Sequence, residues 1–270
     1  LVTAPFVAAL LNLELAKLKG RNVFMMLIPN VVAASAGFAV FWVTIGSTFL
    51  DVYEVGPYEL EAWHLLAAIP LGAAAAAIML ALSLVARLAR RVVAAVDLNS
   101  VVLAGVGGLL FGVAGVLLPL TLFSGKEQLD DAVDQVGTIG AGLLVAVLVV
   151  KIVTFAISMA TGFIGGPVMP SLFLGGIAGL VAHELIPDLP LALALSAMLV
   201  AVPGAVVKAP FALMALAAVT VSVGPITVAP AGIAVLTAYL LTSGLGLFGT
   251  PKKDPDVDAA DHTAYKEGEN

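Results

Sequence analysis

Long apolar stretches, separated by short charged segments, constrain what this chain can fold into. A helix needs about 20 consecutive apolar residues to cross the hydrocarbon core of a bilayer. Stretches of about that length or longer lie near residues 23–50, 63–86, 98–123, 137–160 and 226–248. The chain is 61% hydrophobic and 11% charged, whereas soluble domains carry about 25% charged residues. These features predict an all-α, polytopic membrane protein.

Four apolar segments are too short for simple spans. They lie at residues 4–16, 170–182, 189–205 and 209–223. Segments of this length favour half-helices or re-entrant helices, so we expect tilted and broken helices beside the full spans.

The charged residues predict the orientation of the chain in the membrane. Basic residues form three clusters, at Lys17, Lys19 and Arg21, at Arg87, Arg90 and Arg91, and at Lys252 and Lys253. The positive-inside rule places these clusters and the C-terminus in the cytoplasm. The polar tail 249–270 is predicted to be disordered. Nothing in the composition indicates nucleic-acid binding, and the absence of cysteine excludes disulfides.

The sequence "GFIGGPVMP" at residues 162–170 interrupts an apolar region. Pro167 and Pro170 cannot continue a helix but suit its first turn, so a helix is predicted to begin near residue 168, inside the membrane. The first N–H groups of a helix have no partner within it, and with the helix dipole they attract anions. The candidate anion-binding residues are Gly165, Gly166, Val168, Met169 and Pro170. The alternative is a simple kink between packed helices.

Segment 3–16 resembles segment 208–221, because both begin a short apolar stretch with Ala-Pro-Phe. This similarity favours an internal duplication, which is typical of transporters built from repeated halves. Chance is the alternative, since alanine, leucine and valine are abundant throughout the chain.

Two further features carry predictions. Lys151 lies within an apolar run, and an intramembrane cation is by default a functional candidate. It either raises the potential for an anion, pairs with a carboxylate or supports the structure. Gly175 and Gly179, four residues apart, predict a close helix contact, in the bundle or in a dimer seam. The sequence contains no catalytic constellation or metal motif, so we predict neither an enzyme nor a cofactor.

Four motifs in the same order resemble those of the CLC chloride channel and transporter family. They are "TAPFVAALLNLE", "LFSGKEQ" (122–128), "KIVTFAISMATGFIGGPVMPSLFLGGIAG" and "VVKAPFALMALAAVT". The resemblance extends from residue 3 to about 248. It implies a partial inverted-repeat fold, in which 1–22 ends the first half and 23–248 forms most of the second. Two earlier family motifs, Gly-Ser-Gly-Ile-Pro and Gly-Arg-Glu-Gly-Pro, are absent, so we expect further sequence before Leu1.

The resemblance also implies a function. It implies chloride conduction, with the anion held by backbone amides at the N-termini of broken helices and with no cofactor. It implies a homodimer, with an interface built from segments 23–50, 63–86, 209–223 and 226–242. Pro167 departs from the family pattern because it has no N–H to offer an ion.

Glu14 lies one residue before the proton-transfer glutamate of the family's exchangers. It is therefore either on a proton path or a helix-end carboxylate near Lys17 or Lys19. A proton-coupled chloride antiporter, a non-conducting scaffold or fragment, and a different secondary transporter with broken helices are the alternatives to a channel.

Overall fold

The structure is a computed structural model that describes residues 5–16, 21–46, 52–96, 98–163 and 165–245. Its helices are α1 Pro5–Leu15, α2 Arg21–Ile45, α3 Ala62–Ala94, α4 Ser100–Leu117, α5 Lys126–Asp134, α6 Ala141–Ala160, α7 Val168–Leu185, α8 Leu191–Gly204, α9 Pro210–Thr220 and α10 Val228–Thr242. The predicted disordered tail 249–270 and the basic residues Lys17, Lys19, Lys252 and Lys253 lie outside the described residues.

Six helical segments in the described residues are long and apolar enough to cross a membrane. The prediction of an all-α, polytopic membrane protein is therefore confirmed. One of the six is α7, which contains the short apolar segment 170–182 and has 18 residues. The helix is longer than the apolar segment because it starts at Val168 and continues to Leu185 through the polar residues His183 and Glu184.

Predicted span 98–123 is also shorter than expected. Helix α4 ends at Leu117, and Leu118 leaves the helical conformation with φ −136° and ψ 83°. A residue before proline is disfavoured in the α region, and Pro119 follows directly. A single 3₁₀ turn, Pro119–Thr121, then leads away from the span.

Helix α8 forms the centre of the molecule. Every residue from Ala192 to Gly204 is buried, and the helix packs against α3, α7, α9 and α10. A helix that is apolar on all sides is stable only when surrounded by protein or lipid. The 14 residues of α8 extend over about 21 Å, less than the roughly 30 Å hydrocarbon core of a bilayer. The prediction of a short helix at 189–205 is confirmed.

Helices α7 and α8 approach each other at the two predicted glycines. A Cβ atom on Gly179 would lie 2.8 Å from the backbone oxygen of Ala194, and one on Gly175 would collide with the backbone oxygen of Met198. The contact is within one chain, so the glycines serve the packing of the bundle.

Substitution of Gly175 by alanine is expected to destabilise the protein by about 1–3 kcal/mol, because the added methyl group forces two helix backbones apart. Gly142→Ala in α6 is the matched control, since no neighbouring atom lies within 4 Å of its Cβ position. There the change should be neutral or slightly stabilising, because alanine favours the helix. Thermal unfolding in detergent measures the stability of both variants. Equal melting temperatures of Gly175→Ala and Gly142→Ala would contradict the packing argument.

Helix α5 lies between the predicted spans 98–123 and 137–160, where no helix is predicted. The chain turns at Phe123 and Gly125, with φ values of 48° and 86°, and α5 begins directly after Gly125. Leu129, Ala132 and Val133 are its buried apolar residues. Their spacing of three and four residues is the helical signal that could have located α5 in the sequence.

Candidate functional site

The candidate site lies where α6 passes into α7. Helix α6 ends at Ala160, and Gly162 adopts the left-handed conformation with φ 92°. Glycine is suited to this conformation because it has no Cβ. The backbone N–H of Phe163 donates to the carbonyl of Ser158 at 3.1 Å, which closes the end of α6. Helix α7 begins at Val168, as the proline pattern predicted.

The first N–H groups of α7 have no acceptor among the described residues. Pro167 precedes the helix and supplies no side-chain cap. The first backbone hydrogen bond at this helix start is donated by the N–H of Ser171 to the Pro167 carbonyl, at 3.1 Å. Across the described residues, no acceptor is found for the N–H groups of Val168 and Met169. A helix start without a cap keeps its donors and its positive dipole end for another group.

The turn before α7 is equally open. Gly165 and Gly166 are exposed, and no atom lies within 4 Å of the Cβ position of either residue. Their N–H groups have no acceptor in the described part of the chain. No carbonyl among the described residues therefore seals this turn, as one would in a kink made only for packing.

Lys151 is almost completely buried in α6, with 2% of its surface exposed. Its ammonium group donates to the carbonyls of Thr121 and Phe123, at 2.8 and 2.7 Å. It also lies 4.9 Å from the centre of the Phe173 ring on α7, a distance at which a cation is attracted to the ring face. Lys151 thus holds the turn between α4 and α5, and among the described residues its partners are carbonyls and an aromatic ring.

The partners of Lys151 keep its positive charge near α7. Carbonyl oxygens satisfy the ammonium N–H groups but bring no full negative charge, so the local potential stays positive. Phe173 lies in the second turn of α7 and packs against Gly125, where a Cβ would collide with the ring. The structure therefore brings Lys151 beside α7. Its effect on an anion stays a prediction.

Glu14 lies at the far end of α1 and caps the start of α9. Its carboxylate accepts hydrogen bonds from the N–H groups of Phe211, at 3.0 Å, and Ala212, at 2.6 Å. Pro210 occupies the first position of α9, so these two amides are the next donors of that helix. The two Ala-Pro-Phe segments are thus in contact, and Glu14 is bonded to α9 rather than to the start of α7.

This cap was missed in the sequence, although a signal for it exists. A helix that begins with proline after the apolar residue Ala209 has no local side chain to accept its next N–H groups. Such a helix start needs an acceptor from another part of the chain. Glu14 is the carboxylate that lies within segment 3–16, the other Ala-Pro-Phe segment. Lys17 and Lys19, the other partners considered for Glu14, lie outside the described residues.

Replacing Glu14 with alanine is expected to lower the free energy of unfolding by about 0.5–2 kcal/mol, the usual cost of losing a helix cap. Glu14→Gln should lose less, because the amide oxygen still accepts one of the two hydrogen bonds. Thermal unfolding of both variants measures the difference. A melting temperature of Glu14→Ala equal to that of the unmodified protein would show that the cap adds nothing to stability.

Comparison with known families identifies the chain. The model of the family described as voltage gated chloride channel matches residues 3–243. The chain belongs to this family. The match confirms the resemblance seen in the motifs and includes the start of α7, Lys151 and Glu14. The protein is therefore an integral, multi-pass membrane protein of the voltage gated chloride channel family.

Curated relatives include a protein named "Putative ion-transport protein YfeO" from Salmonella newport, Salmonella agona and Salmonella enteritidis. Each is 32% identical to the chain over 162 residues, which is 58% of this chain and 38% of the relative. The chain therefore matches well under half of the length of these relatives.

Proposed function

We propose that the protein conducts chloride or a similar small anion across the membrane. The observation that carries the proposal is the open start of α7, where uncapped N–H groups follow Pro167. Family membership and the printed name of the relatives, putative ion-transport protein, support transport as the general activity. The chain matches 38% of the length of those relatives, so their name supports the proposal only in this general sense.

The proposed mechanism uses amide dipoles instead of full charges at the ion. An anion that enters the turn at 165–170 loses water and gains hydrogen bonds from N–H groups such as those of Val168 and Met169. Weak binding of this kind offsets dehydration and still lets the ion leave, as conduction requires. Lys151 is buried, donates to two carbonyls and lies beside Phe173. It raises the potential of the region without binding the ion directly.

A proton-coupled antiporter is the second candidate, and Glu14 is the residue that would distinguish it. In the structure its carboxylate is engaged by two amides of α9. Protonation would weaken both hydrogen bonds, because a neutral carboxyl is a poorer acceptor than a carboxylate. Transport of protons through Glu14 would therefore be coupled to the start of α9.

The proposal is tested with purified protein in liposomes loaded with chloride. We expect chloride efflux when a potassium ionophore balances the charge, and no efflux from protein-free liposomes. An inward chloride gradient that also drives a pH change would identify the antiporter, and Glu14→Gln should then abolish the pH change. Liposomes that retain chloride at every pH would contradict both candidates and favour the non-conducting scaffold.

We also propose that the C-terminus is cytoplasmic and that the protein forms a homodimer. Helix α2 supports a dimer interface, because only 6% of its membrane-crossing segment is buried within the chain. It exposes a row of large apolar side chains, including Met25, Ile28, Val32 and Val43. Lipid or a second copy must cover these side chains, and light-scattering mass measurement in detergent separates monomer from dimer.

A further inference from the structure

An apolar groove lies between α3 and α4, at the end of α3 that carries basic residues. The two helices are consecutive in the chain, but they make almost no contact with each other, and α4 packs on α6 instead. The groove has a volume of about 400 Å³, and its walls include Val85, Leu88, Val92, Val106, Leu110 and Ile157. An empty space between membrane helices forfeits contacts on both walls, so an apolar group is expected to fill it.

The groove is as long as one leaflet of a membrane. Along α3 it extends from Val85 to Val96, which is about 16 Å at 1.5 Å per residue, whereas half of the hydrocarbon core measures about 15 Å. Leu88 and Val92 in its wall are exposed, so the groove is open to the lipid around the protein. One extended acyl chain of a membrane lipid matches this length and these apolar walls.

Two arginines flank the groove on α3. Residues three positions apart on a helix are neighbours. Arg90 precedes the groove residue Val93 by three positions, and Arg91 follows the groove residue Leu88 by the same spacing. Both arginines are exposed, and neither side chain has a hydrogen bond or ion pair with another described residue. Their planar, positively charged guanidinium groups are therefore available for a phosphate, whose geometry they match.

We propose that the groove binds one anionic phospholipid, with an acyl chain between α3 and α4 and its headgroup phosphate at Arg90 and Arg91. A zwitterionic phospholipid offers the same chain and phosphate, but its cationic group is repelled by the arginines, so the charges favour a lipid with net negative charge. The groove is separate from the proposed anion site, because none of residues 165–170 lines it. The inference therefore stands independently of the proposed conduction of chloride.

The test compares phosphatidylglycerol and phosphatidylcholine with identical acyl chains, added to the purified protein in detergent. Native mass spectrometry counts the lipids that stay bound, and thermal unfolding measures their effect on stability. We expect one phosphatidylglycerol to be retained per chain and to raise the melting temperature, and phosphatidylcholine to be lost. The double variant Arg90→Gln, Arg91→Gln should bind phosphatidylglycerol about tenfold more weakly, because charge-assisted hydrogen bonds are lost. Equal retention of the two lipids by the unmodified protein would overturn the inference.

Two further variants locate the lipid. Arg87→Gln is the matched control, since Arg87 is also exposed but lies on the side of α3 opposite the groove, at 3.6 residues per turn. Its affinity for phosphatidylglycerol should be unchanged, and a loss equal to that of the double variant would indicate general surface charge and overturn the inference. Ala89 lines the groove, so Ala89→Phe places a ring there and should displace the lipid. If lipid retention is unchanged in Ala89→Phe, or if this variant changes only the oligomeric state, a lipid chain does not occupy the groove.

Discussion

Chloride binding is expected to weaken about tenfold or more when the peptide N–H of Val168 is replaced by an ester oxygen, because a hydrogen bond to a charged group contributes about 1.5–3 kcal/mol. The ester keeps the valine side chain and removes a single donor. Val168 is the first residue of α7, and its N–H has no acceptor in the described chain. The helix therefore loses no internal hydrogen bond, so the effect should appear in ion binding and flux but not in stability.

The same ester at Leu191 is the matched control. Leu191 is the first residue of α8, follows Pro190 and likewise lacks a side-chain cap. We expect chloride affinity and efflux to be unchanged there. Calorimetry of chloride binding and the liposome assay measure both replacements. If the two esters have equal effects, or if the Val168 ester has none, the start of α7 does not bind the anion.

The second large effect is expected for Lys151→Met, which should lower both stability and chloride flux. Methionine fills much of the same space but cannot donate to the carbonyls of Thr121 and Phe123. A buried carbonyl left without a donor costs about 1–3 kcal/mol, partly offset because a buried charge is also removed. The turn before α5 loses its support, and α7 loses the nearby positive charge, so both thermal unfolding and efflux measure the change.

Lys208→Met provides the control, because Lys208 is exposed and surface substitutions usually change stability by less than about 0.5 kcal/mol. Lys151→Arg separates charge from fit, since it keeps the charge and its donors. We expect Lys151→Arg to recover flux more fully than stability. If Lys151→Met conducts as well as the unmodified protein, the role of Lys151 is confined to the structure.

Apolar length and proline position carried most of the predictions that the structure confirms. The start of α7 follows from Pro167 and Pro170, because ring geometry dictates where a helix can begin. The close contact at Gly175 and Gly179 follows from residue size. Helix α7 extends beyond the apolar segment 170–182, because a window of apolar residues ends at the first polar side chain whereas the helix continues through His183 and Glu184.

Long-range partners could not be predicted in the same way. Lys151 was expected to act on an anion, pair with a carboxylate or support the fold, and only the structure shows carbonyl acceptors some 30 residues earlier. Such contacts arise from tertiary packing, which a local pattern does not encode.

The hydrogen bonds from α9 to Glu14 join residues that are 197 and 198 positions apart, and this separation has a consequence for biosynthesis. A ribosome that adds about 5–20 residues per second needs roughly 10–40 s to deliver α9 after α1. During that interval α1, an 11-residue apolar helix, has a carboxylate near its end and no amides to receive it. The nascent chain must therefore keep an incomplete pair of helices at the membrane until α9 has been synthesised.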